Sequence, residues 1–283
     1  MAKTSDIQLG DGTRLLILYE DRAVLAIDKP VGWMLAPNAW DRTPWNLQLA
    51  LESSLRSGAF WARCRNLRFL RFVHRLDADT SGVLLLAKSQ GALRALGQLF
   101  ETRQVKKSYL AVVQGVPREQ AWDCALKIGR DPRQPGRMTV NGLESRAALT
   151  QFQVLEASQD TALVLAQPET GRMHQLRVHL AASGHPILGD GLYAEVSGQK
   201  SEVRDRRSGA AEDQRPKERI LRRDLALALR AVGLAYPDPF TRRWVRIEAP
   251  CAAFLRKFGF QERVIPRAGF AVARGQSPTV NRR

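Results

Sequence analysis

The sequence has few cysteines and no long apolar run, and both shortages limit what the protein can be. Its three cysteines, Cys64, Cys124 and Cys251, lie far apart, form no Cys-x-x-Cys pair and cannot all pair with one another. This usage favours a reducing compartment. No apolar run approaches the roughly 20 residues of a membrane span, and the first residues lack the apolar stretch of a signal peptide. We therefore expect a cytoplasmic protein that does not enter a membrane.

Acidic residues are also scarce. The chain of 283 residues has 28 acidic and 44 basic side chains, which gives a formal charge of +16. Such a field suits a polyanion such as nucleic acid, although solubility or an acidic membrane surface can use the same charge. With 44% hydrophobic residues, the chain is long enough to bury a sizeable core, as one large domain or two smaller ones.

Apolar patterns along the chain predict strands and helices without a regular βαβ rhythm. Helices are expected from Thr43, as N-cap before Pro44, to about Gly58, and over residues 90–101. Strands are expected at 14–19, 23–27, 83–87, 109–113, 147–155 and 163–166, and residues 174–180 are also strand-like. These patterns predict an α+β fold around a large, mixed, mainly antiparallel sheet flanked by helices and loops.

Polar and charged segments indicate the domain boundaries. Residues 1–13 are polar and expected to be loose, and residues 14–258 are expected to form one domain. Within it, residues 195–220 are rich in charge, serine and glycine, which is typical of a surface insertion. Residues 259–283 form a basic tail that we expect to be disordered.

Positive charge is concentrated between Glu52 and Asp77, where there is no acidic residue. Planar guanidinium groups suit phosphate oxygens, and aromatic rings can stack on unpaired bases. A solvated basic face over a few core aromatics would give the same pattern. The arginines of this stretch are Arg56, Arg63, Arg65, Arg68, Arg71 and Arg75, interleaved with Phe60, Trp61, Phe69 and Phe72.

The stretch ends in the segment 74–82, which reads His-Arg-Leu-Asp-Ala-Asp-Thr-Ser-Gly. It places Asp77 on a loop just before the apolar strand that begins at Val83, and loops held by rigid elements often carry catalytic groups. Taken alone, however, Arg75 and Asp77 could make surface ion pairs, and the Thr-Ser-Gly sequence could simply form a turn.

These residues resemble the RluA-type pseudouridine synthases, a family in which His-Arg-Leu-Asp and a Thr-Ser-Gly turn form the catalytic motif. Further matches follow in the family's order across roughly residues 15 to 255. They are Tyr19-Glu20-Asp21, Lys29-Pro30-Val31-Gly32, Lys107-Ser108-Tyr109-Leu110-Ala111, the run from Thr170 to Leu180, and the run from Gly184 to Asp190. The resemblance implies the pseudouridine synthase fold and isomerisation of a specific uridine in transfer or ribosomal RNA.

The resemblance also implies roles for individual residues. Asp77 takes the position of the nucleophilic carboxylate, and Arg177 is expected beside it, where its charge would oppose the loss of ionisation that burial favours. Tyr109 would stack on the uracil, with its hydroxyl near C5 as the proton acceptor. Arg75 would support the nucleotide after it is flipped out of the RNA. Leu176 would line the uracil pocket.

RNA contacts are expected from residues of both kinds, those in the basic stretch and those in the matching motifs. They are His74, Arg75, Leu176, Arg63, Arg65, Arg68, Arg71, Lys106, Lys107 and Arg172. The isomerisation needs no cofactor, and the spacing of His174 and His179 does not suit a shared metal, so we expect no metal requirement. The expected partner is RNA, and the expected oligomeric state is a monomer.

Two other functions fit parts of the sequence. A non-enzymatic RNA-binding or ribosome-assembly protein that retains the fold would show the same basic surface. A hydrolase could use Asp77 and Asp79 as an acid and base pair, but the basic surroundings do not favour the protonated carboxyl that a general acid needs.

The sequence departs from the family pattern at two positions and at its start. Met173 stands where the family usually has threonine, and Arg230 stands where it usually has histidine within Leu-His-Ala. The chain also begins almost directly at the catalytic pattern, so we expect it to lack the small amino-terminal RNA-binding domain of some relatives. RNA recognition is then expected to fall to the catalytic domain itself.

Overall fold

The structure is a computed structural model that describes residues 3–35, 45–194 and 226–261. The strands are β1 Asp6–Gln8, β2 Arg14–Glu20, β3 Val24–Lys29, β4 Arg71–Phe72, β5 Ser81–Ala87, β6 Lys106–Gln114, β7 Ala121–Cys124, β8 Ile128–Arg130, β9 Met138–Val140, β10 Leu143–Arg146, β11 Thr150–Ala157, β12 Thr161–Pro168, β13 Leu229–Pro237 and β14 Trp244–Glu248. The helices are α1 Leu47–Arg56, α2 Phe60–Arg63, α3 Gln90–Glu101, α4 Gln175–Ala182 and α5 Ala252–Lys257.

Eleven strands form one sheet, in the order β1-β2-β3-β5-β13-β6-β12-β11-β7, with β4 paired to β5 and β14 paired to β13. A second sheet has the order β10-β8-β9. The pairing of β13 with β5 is parallel, whereas β13 runs antiparallel to β6 and β14. The α+β class and the mixed, mainly antiparallel sheet expected from the sequence are therefore confirmed.

Strand β5 is packed on both faces, which explains its continuous apolar sequence. Leu84 and Leu86 pack with Leu47 and Leu51 of α1 on one side. On the other side, Val83 and Leu85 pack with residues of α3 such as Leu96. None of the helices in the described ranges is both long and apolar enough to cross a bilayer.

Gly82 allows β5 and β13 to approach each other closely. Its φ is +112°, and a Cβ atom at this position would lie 2.0 Å from the carbonyl oxygen of Ala231 in β13. A side chain here would therefore clash with backbone, which cannot move aside as a flexible side chain can. The glycine after Thr80 and Ser81 thus fixes the strand that leads out of the Asp77 loop.

The expectation of a loose amino terminus is wrong at residues 6–8. Strand β1 pairs with β2, and Ile7 is fully buried in the core. The expected tail also starts too early, because Phe260 is buried. The predicted insertion at 195–220 and the tail beyond residue 261 lie outside the described residues.

Two other local predictions need correction. Helix α1 begins at Leu47, and its N-cap is Asn46, whose side chain accepts a hydrogen bond from the Leu49 N–H at 3.2 Å; Thr43 and Pro44 lie outside the described residues. The strand-like run 174–180 is the start of helix α4. All residues from Gln175 to Ala181 are buried, so the helix shows no solvent-facing side that would reveal its period.

Candidate active site

A cavity of about 410 Å³ collects the residues that the sequence assigned to catalysis. Asp77 comes from the loop between β4 and β5, Tyr109 from β6, and Arg177 from α4. The end of α3 and the segment between β12 and α4 complete the walls. The fold therefore brings together three side chains that are distant in sequence and could act on one bound group.

Lys29 holds the loop that carries Asp77. Its side chain is completely buried, and Nζ donates hydrogen bonds to the carbonyl oxygens of Pro30, Ala78 and Thr80 at 2.9 to 3.0 Å. Burial lowers the pKa of Lys29 to about 8, although the charges of Asp79 and Asp77 oppose this change. One ammonium group thus fixes the backbone on both sides of Asp79 and restricts the position of Asp77.

Arg230 of β13 holds the end of the same loop, at the point where the loop joins β5. It donates to Asp28 Oδ2 at 2.6 Å, to Ser81 Oγ at 3.2 Å and to the carbonyl oxygen of Pro250. Ser81 is the residue that links the loop to β5. The arginine that departs from the family pattern therefore supports the end of the catalytic motif through its own hydrogen bonds.

Tyr109 lies at the cavity with its ring packed against the core. Burial, and then the charge of Asp77, raise the pKa of its hydroxyl. The phenol is therefore protonated at neutral pH. It can accept a proton from a substrate only if it passes its own proton to another group, and Asp77 is close enough to influence it electrostatically.

Arg177 is buried and forms a two-pronged ion pair with Asp190, with Nε–Oδ2 and Nη2–Oδ1 distances of 2.8 and 2.7 Å. Burial opposes its charge, but the hydrogen bonds and charge of Asp190, followed by the charge of Asp77, raise its pKa. Arg177 and Asp77 line the same cavity, while the ion-pair partner of Arg177 is Asp190. Sequence reasoning gave Asp190 no role, although an arginine within the apolar run Leu176 to Leu180 requires a buried anionic partner.

The start of α4 is fixed by a network around Tyr193. His174, the residue before the helix, has a left-handed backbone with φ +55°, and its Nδ1 lies 2.8 Å from the Tyr193 hydroxyl. That hydroxyl also accepts a hydrogen bond from the Met138 N–H at 3.0 Å. The guanidinium of Arg177 lies 5.1 Å from the centre of the Tyr193 ring, a distance typical of a cation–π contact. Tyr193 therefore holds both His174 and Arg177, which line the cavity.

Gln175 and Thr170 form hydrogen bonds that hold the segment leading into α4. Gln175 Oε1 accepts from the Thr170 hydroxyl at 2.7 Å and from the Arg172 N–H at 3.0 Å. Its Nε2 donates to the Leu149 carbonyl and the Thr150 hydroxyl. Because each polar group of this buried amide has a partner, the cavity wall between β12 and α4 is well fixed.

Of the residues expected to bind RNA, some are open to solvent and some have structural partners. Arg75 is exposed at the cavity and Lys106 is exposed beside it, whereas Arg63 and Arg68 are exposed but do not line the cavity. Arg71 pairs with Glu52.

The prediction for Arg65 is wrong. Its side chain is only 2% exposed and pairs with Glu20, with an Nε–Oε2 distance of 3.0 Å. It also donates to the Thr4 hydroxyl and the Trp61 carbonyl. Trp61 is itself buried in the core. This part of the basic stretch is therefore a structural network and cannot reach RNA.

His74, Lys107, Arg172 and Leu176 line the cavity, and three of them also support it. His74 Nε2 accepts a hydrogen bond from the Leu85 N–H at 3.0 Å, and burial lowers its pKa to about 4, so its ring is neutral at neutral pH. Lys107 donates to the Thr170 carbonyl at 2.8 Å, and burial lowers its pKa to about 8. Arg172 donates to the Ala147 carbonyl at 3.0 Å.

In the described part of the chain, no cluster of three or more histidine, cysteine or acidic side chains could hold a metal ion. His179 is occupied on both ring nitrogens, by the Thr150 hydroxyl and the Leu126 carbonyl. The absence of a metal requirement remains a prediction.

Comparison with known proteins gives a consistent result. Residues 23–182 match the family model described as RNA pseudouridylate synthase. The chain is 33% identical over 248 residues to "Ribosomal large subunit pseudouridine synthase C" of Vibrio parahaemolyticus, which covers 86% of this chain and 67% of that protein. It is 35% identical over 191 residues to "Ribosomal large subunit pseudouridine synthase D" of Borreliella burgdorferi, covering 67% of this chain and 57% of the relative.

Among solved structures, the fold is similar to "Human RNA Pseudouridylate Synthase Domain Containing 1", with a TM-score of 0.60 and 29% sequence identity over 83% of each chain. The pseudouridine synthase fold expected from the sequence is thereby confirmed. The chain spans between 57% and 67% of the length of the two bacterial relatives.

Proposed function

Because the chain belongs to the RNA pseudouridylate synthase family, whose members are isomerases, we propose that it converts a specific uridine of ribosomal RNA into pseudouridine. The observation that supports this most strongly is the meeting of Asp77, Tyr109 and Arg177 in one cavity. The names of the bacterial relatives favour ribosomal over transfer RNA. We expect the protein to act in the cytoplasm as a monomer.

The reaction breaks the bond between N1 of uracil and C1′ of ribose, turns the base, and joins C5 to C1′. In the proposed mechanism, the Asp77 carboxylate is the group that acts on the nucleotide, and the cavity keeps the detached base from diffusing away. Arg177 contributes positive charge close to Asp77, where negative charge is present during the reaction. No group is transferred to or from the RNA, and the reaction requires no oxidant or reductant.

We propose that the last step is a proton relay through Tyr109. After C5 bonds to C1′, the proton on C5 passes to the Tyr109 oxygen while the Tyr109 hydroxyl proton passes to Asp77. Asp77 then gives this proton to N1 of the uracil, so that the product carries N1–H and the carboxylate is restored. This order is consistent with a phenol whose raised pKa keeps it protonated. A tyrosine beside a carboxylate can thus act as an acceptor without ever existing as a free phenolate.

Access to the uridine requires that the nucleotide leave its stack, since C1′ and C5 are not reachable inside a helix. Arg75 is exposed at the cavity and is two residues from Asp77. We propose that its side chain occupies the space left by the flipped nucleotide. Leu176, on the cavity wall, would contact the base.

The proposal is tested by mapping pseudouridine in total RNA from cells with and without the gene. One ribosomal uridine should lose the modification when the gene is absent and regain it with the wild-type gene. Asp77→Ala should not restore it. Asp160→Asn is the matched control, because Asp160 is exposed and does not line the cavity, and it should restore the modification.

A release assay with purified protein and RNA tritiated at C5 separates the alternatives. Isomerisation releases tritium, whereas a protein that only binds RNA releases none. Free uracil as the product would support a hydrolase instead. Modification that is unchanged in every transfer and ribosomal RNA after deletion of the gene would contradict the proposed substrate.

A further inference from the structure

The hairpin between β13 and β14 exposes aromatic and basic side chains that the proposed mechanism does not use. Phe240 and Trp244 are 57% and 50% exposed, which is unusual for large apolar side chains. Arg242 and Arg243 are exposed between them, and Arg246 is exposed further along β14. Alternating aromatic and guanidinium groups of this kind suit nucleic acid, because rings stack on bases and guanidinium groups bind phosphates.

The tip of the hairpin is held in one conformation. Asp238 accepts hydrogen bonds from the Phe240 N–H at 2.9 Å and from the Thr241 hydroxyl at 2.6 Å. Its backbone also pairs with Arg242 and Arg243. The exposed side chains therefore sit on a rigid turn, and binding a partner costs little backbone entropy there.

The strand register places Lys106 of β6 beside the hairpin. In the sheet, Ala235 of β13 pairs with Arg246 of β14 on one side and with Lys106 of β6 on the other, and Pro237 pairs with Trp244. Paired residues and residues two apart share a face of the sheet. Lys106, Arg246 and Trp244 therefore share one face, with the two cations about 10 Å apart across a small alanine.

This face is continuous with the active site. Lys106, Ala235 and Arg246 line a second cavity of about 170 Å³. Four residues line both this cavity and the active-site cavity, namely Arg103, Lys107, Pro168 and Glu169. Glu169 and Glu248 also line this cavity, so an RNA phosphate should bind on the side of Lys106 and Arg246, away from these two carboxylates. An RNA strand that leaves the active-site cavity would reach this second cavity next.

The cations of the hairpin are not neutralised by neighbours. Arg65, Arg71, Arg177 and Arg230 each pair with a carboxylate. By contrast, within the described ranges no carboxylate forms an ion pair with any of the basic side chains of this region. These are Lys106, Arg242, Arg243 and Arg246. Their charge is therefore available to an external polyanion.

We propose that Lys106, Phe240, Arg242, Arg243, Trp244 and Arg246, which we call the hairpin surface, bind an unpaired segment of RNA that flanks the target uridine. This inference rests on the proposed function, since it names the part of the substrate that lies outside the active-site cavity. Exposed rings favour an unpaired segment over a duplex, because bases inside a duplex are already stacked on one another.

The test measures binding of a fluorescent oligouridylate of about ten nucleotides, a length within the usual range for single-strand sites. Trp244→Ala should weaken binding roughly tenfold, and Trp244→Phe should retain most of the affinity because the ring remains. Arg242→Gln with Arg243→Gln should lower the slope of log affinity against log salt by about 1.4, or about 0.7 for each lost phosphate contact.

Matched controls come from exposed residues that line neither cavity. Trp45 is 51% exposed, and Trp45→Ala should leave affinity unchanged; Arg118→Gln with Arg256→Gln should leave the salt slope unchanged. Equal losses in controls and hairpin variants would overturn the proposal. So would an equal effect of Trp244→Ala on an RNA duplex or on polyglutamate, since stacking on unpaired bases would then not be involved.

The outcome can be separated from that of the proposed function. Asp77→Ala should bind oligouridylate as the wild type does, while releasing no tritium from RNA labelled at C5. Hairpin variants should bind oligouridylate more weakly but still release tritium, with a raised KM and an unchanged kcat. If the wild type forms no pseudouridine but the binding differences appear, the proposed function fails and the hairpin surface stands.

Discussion

Arg177 interacts with two carboxylates, and the two interactions differ in kind. Asp190 is completely buried and makes both short contacts, whereas Asp77 acts on it only through its charge. Removing the arginine would therefore disturb the fold and the proposed chemistry together. A single substitution cannot separate the two effects.

A double variant can separate them. Arg177→Met alone should destabilise the protein by about 3 to 5 kcal/mol, because it leaves Asp190 buried and unpaired. Combining it with Asp190→Asn should recover much of this loss, since asparagine is neutral and can still accept from the Leu192 and Tyr193 N–H groups that bond to Asp190. Urea unfolding would measure stability. Turnover should remain absent in the double variant, and its return would limit Arg177 to a structural role.

Tyr109 gives the second prediction for a single residue. Tyr109→Phe keeps the ring proposed to stack on the base but removes the proposed proton relay, so the rate of tritium release from C5 should fall by roughly 10² to 10⁴. RNA affinity should stay within about twofold of the wild type if stacking is preserved. Single-turnover kinetics would provide the rate, and an unchanged rate would remove the hydroxyl from the mechanism.

Among the secondary-structure elements, the contact between β5 and β13 controls the position of the Asp77 loop. Gly82→Ala would bring a Cβ atom against the Ala231 carbonyl in a backbone conformation that side chains rarely adopt. The strands must then separate, so we expect a loss of several kcal/mol in stability. Gly97→Ala is a control, because space is open around that helical glycine, and it should be neutral or stabilising. Equal melting temperatures for the two variants would contradict this account.

The elements differ in how far the sequence could predict them. Strands β2, β3, β5, β6, β11 and β12 and helices α1 and α3 follow from their apolar spacing, because each carries a regular apolar pattern of its own. Helix α4 was mistaken for a strand, since a helix buried on every side loses the period that marks it. The alternation of Leu176, Val178 and Leu180 then resembles a strand.

The residues of the candidate site also differ in how far the sequence could predict them. The catalytic candidates could be identified because they lie in recognisable motifs. Arg65 could not be assigned correctly, because its partner Glu20 is 45 residues away and only the folded chain shows that they meet. Asp190 and Lys29 were missed as supports for the same reason. Their effect depends on long-range contacts that a local pattern does not contain.

For the whole molecule, the formal charge of +16 should control how quickly RNA is captured. Raising salt from about 50 to 200 mM should lower kcat/KM roughly tenfold or more, because counterions compete with the RNA phosphates. The value of kcat at saturating RNA should change little, since the proposed chemistry takes place inside the cavity. An equal fall in kcat, with the melting temperature unchanged, would indicate that salt acts on the active site itself.

The place of β13 in the sheet has a consequence for how the protein is made. It lies between β5 and β6, yet residues 229–237 follow both of them by more than a hundred positions. During synthesis, a nascent chain that lacks this strand has two half-sheets with open edges, and open edges promote aggregation. Contacts between residues so distant in sequence also form slowly. The sheet can therefore be completed only after residues 229–237 have left the ribosome.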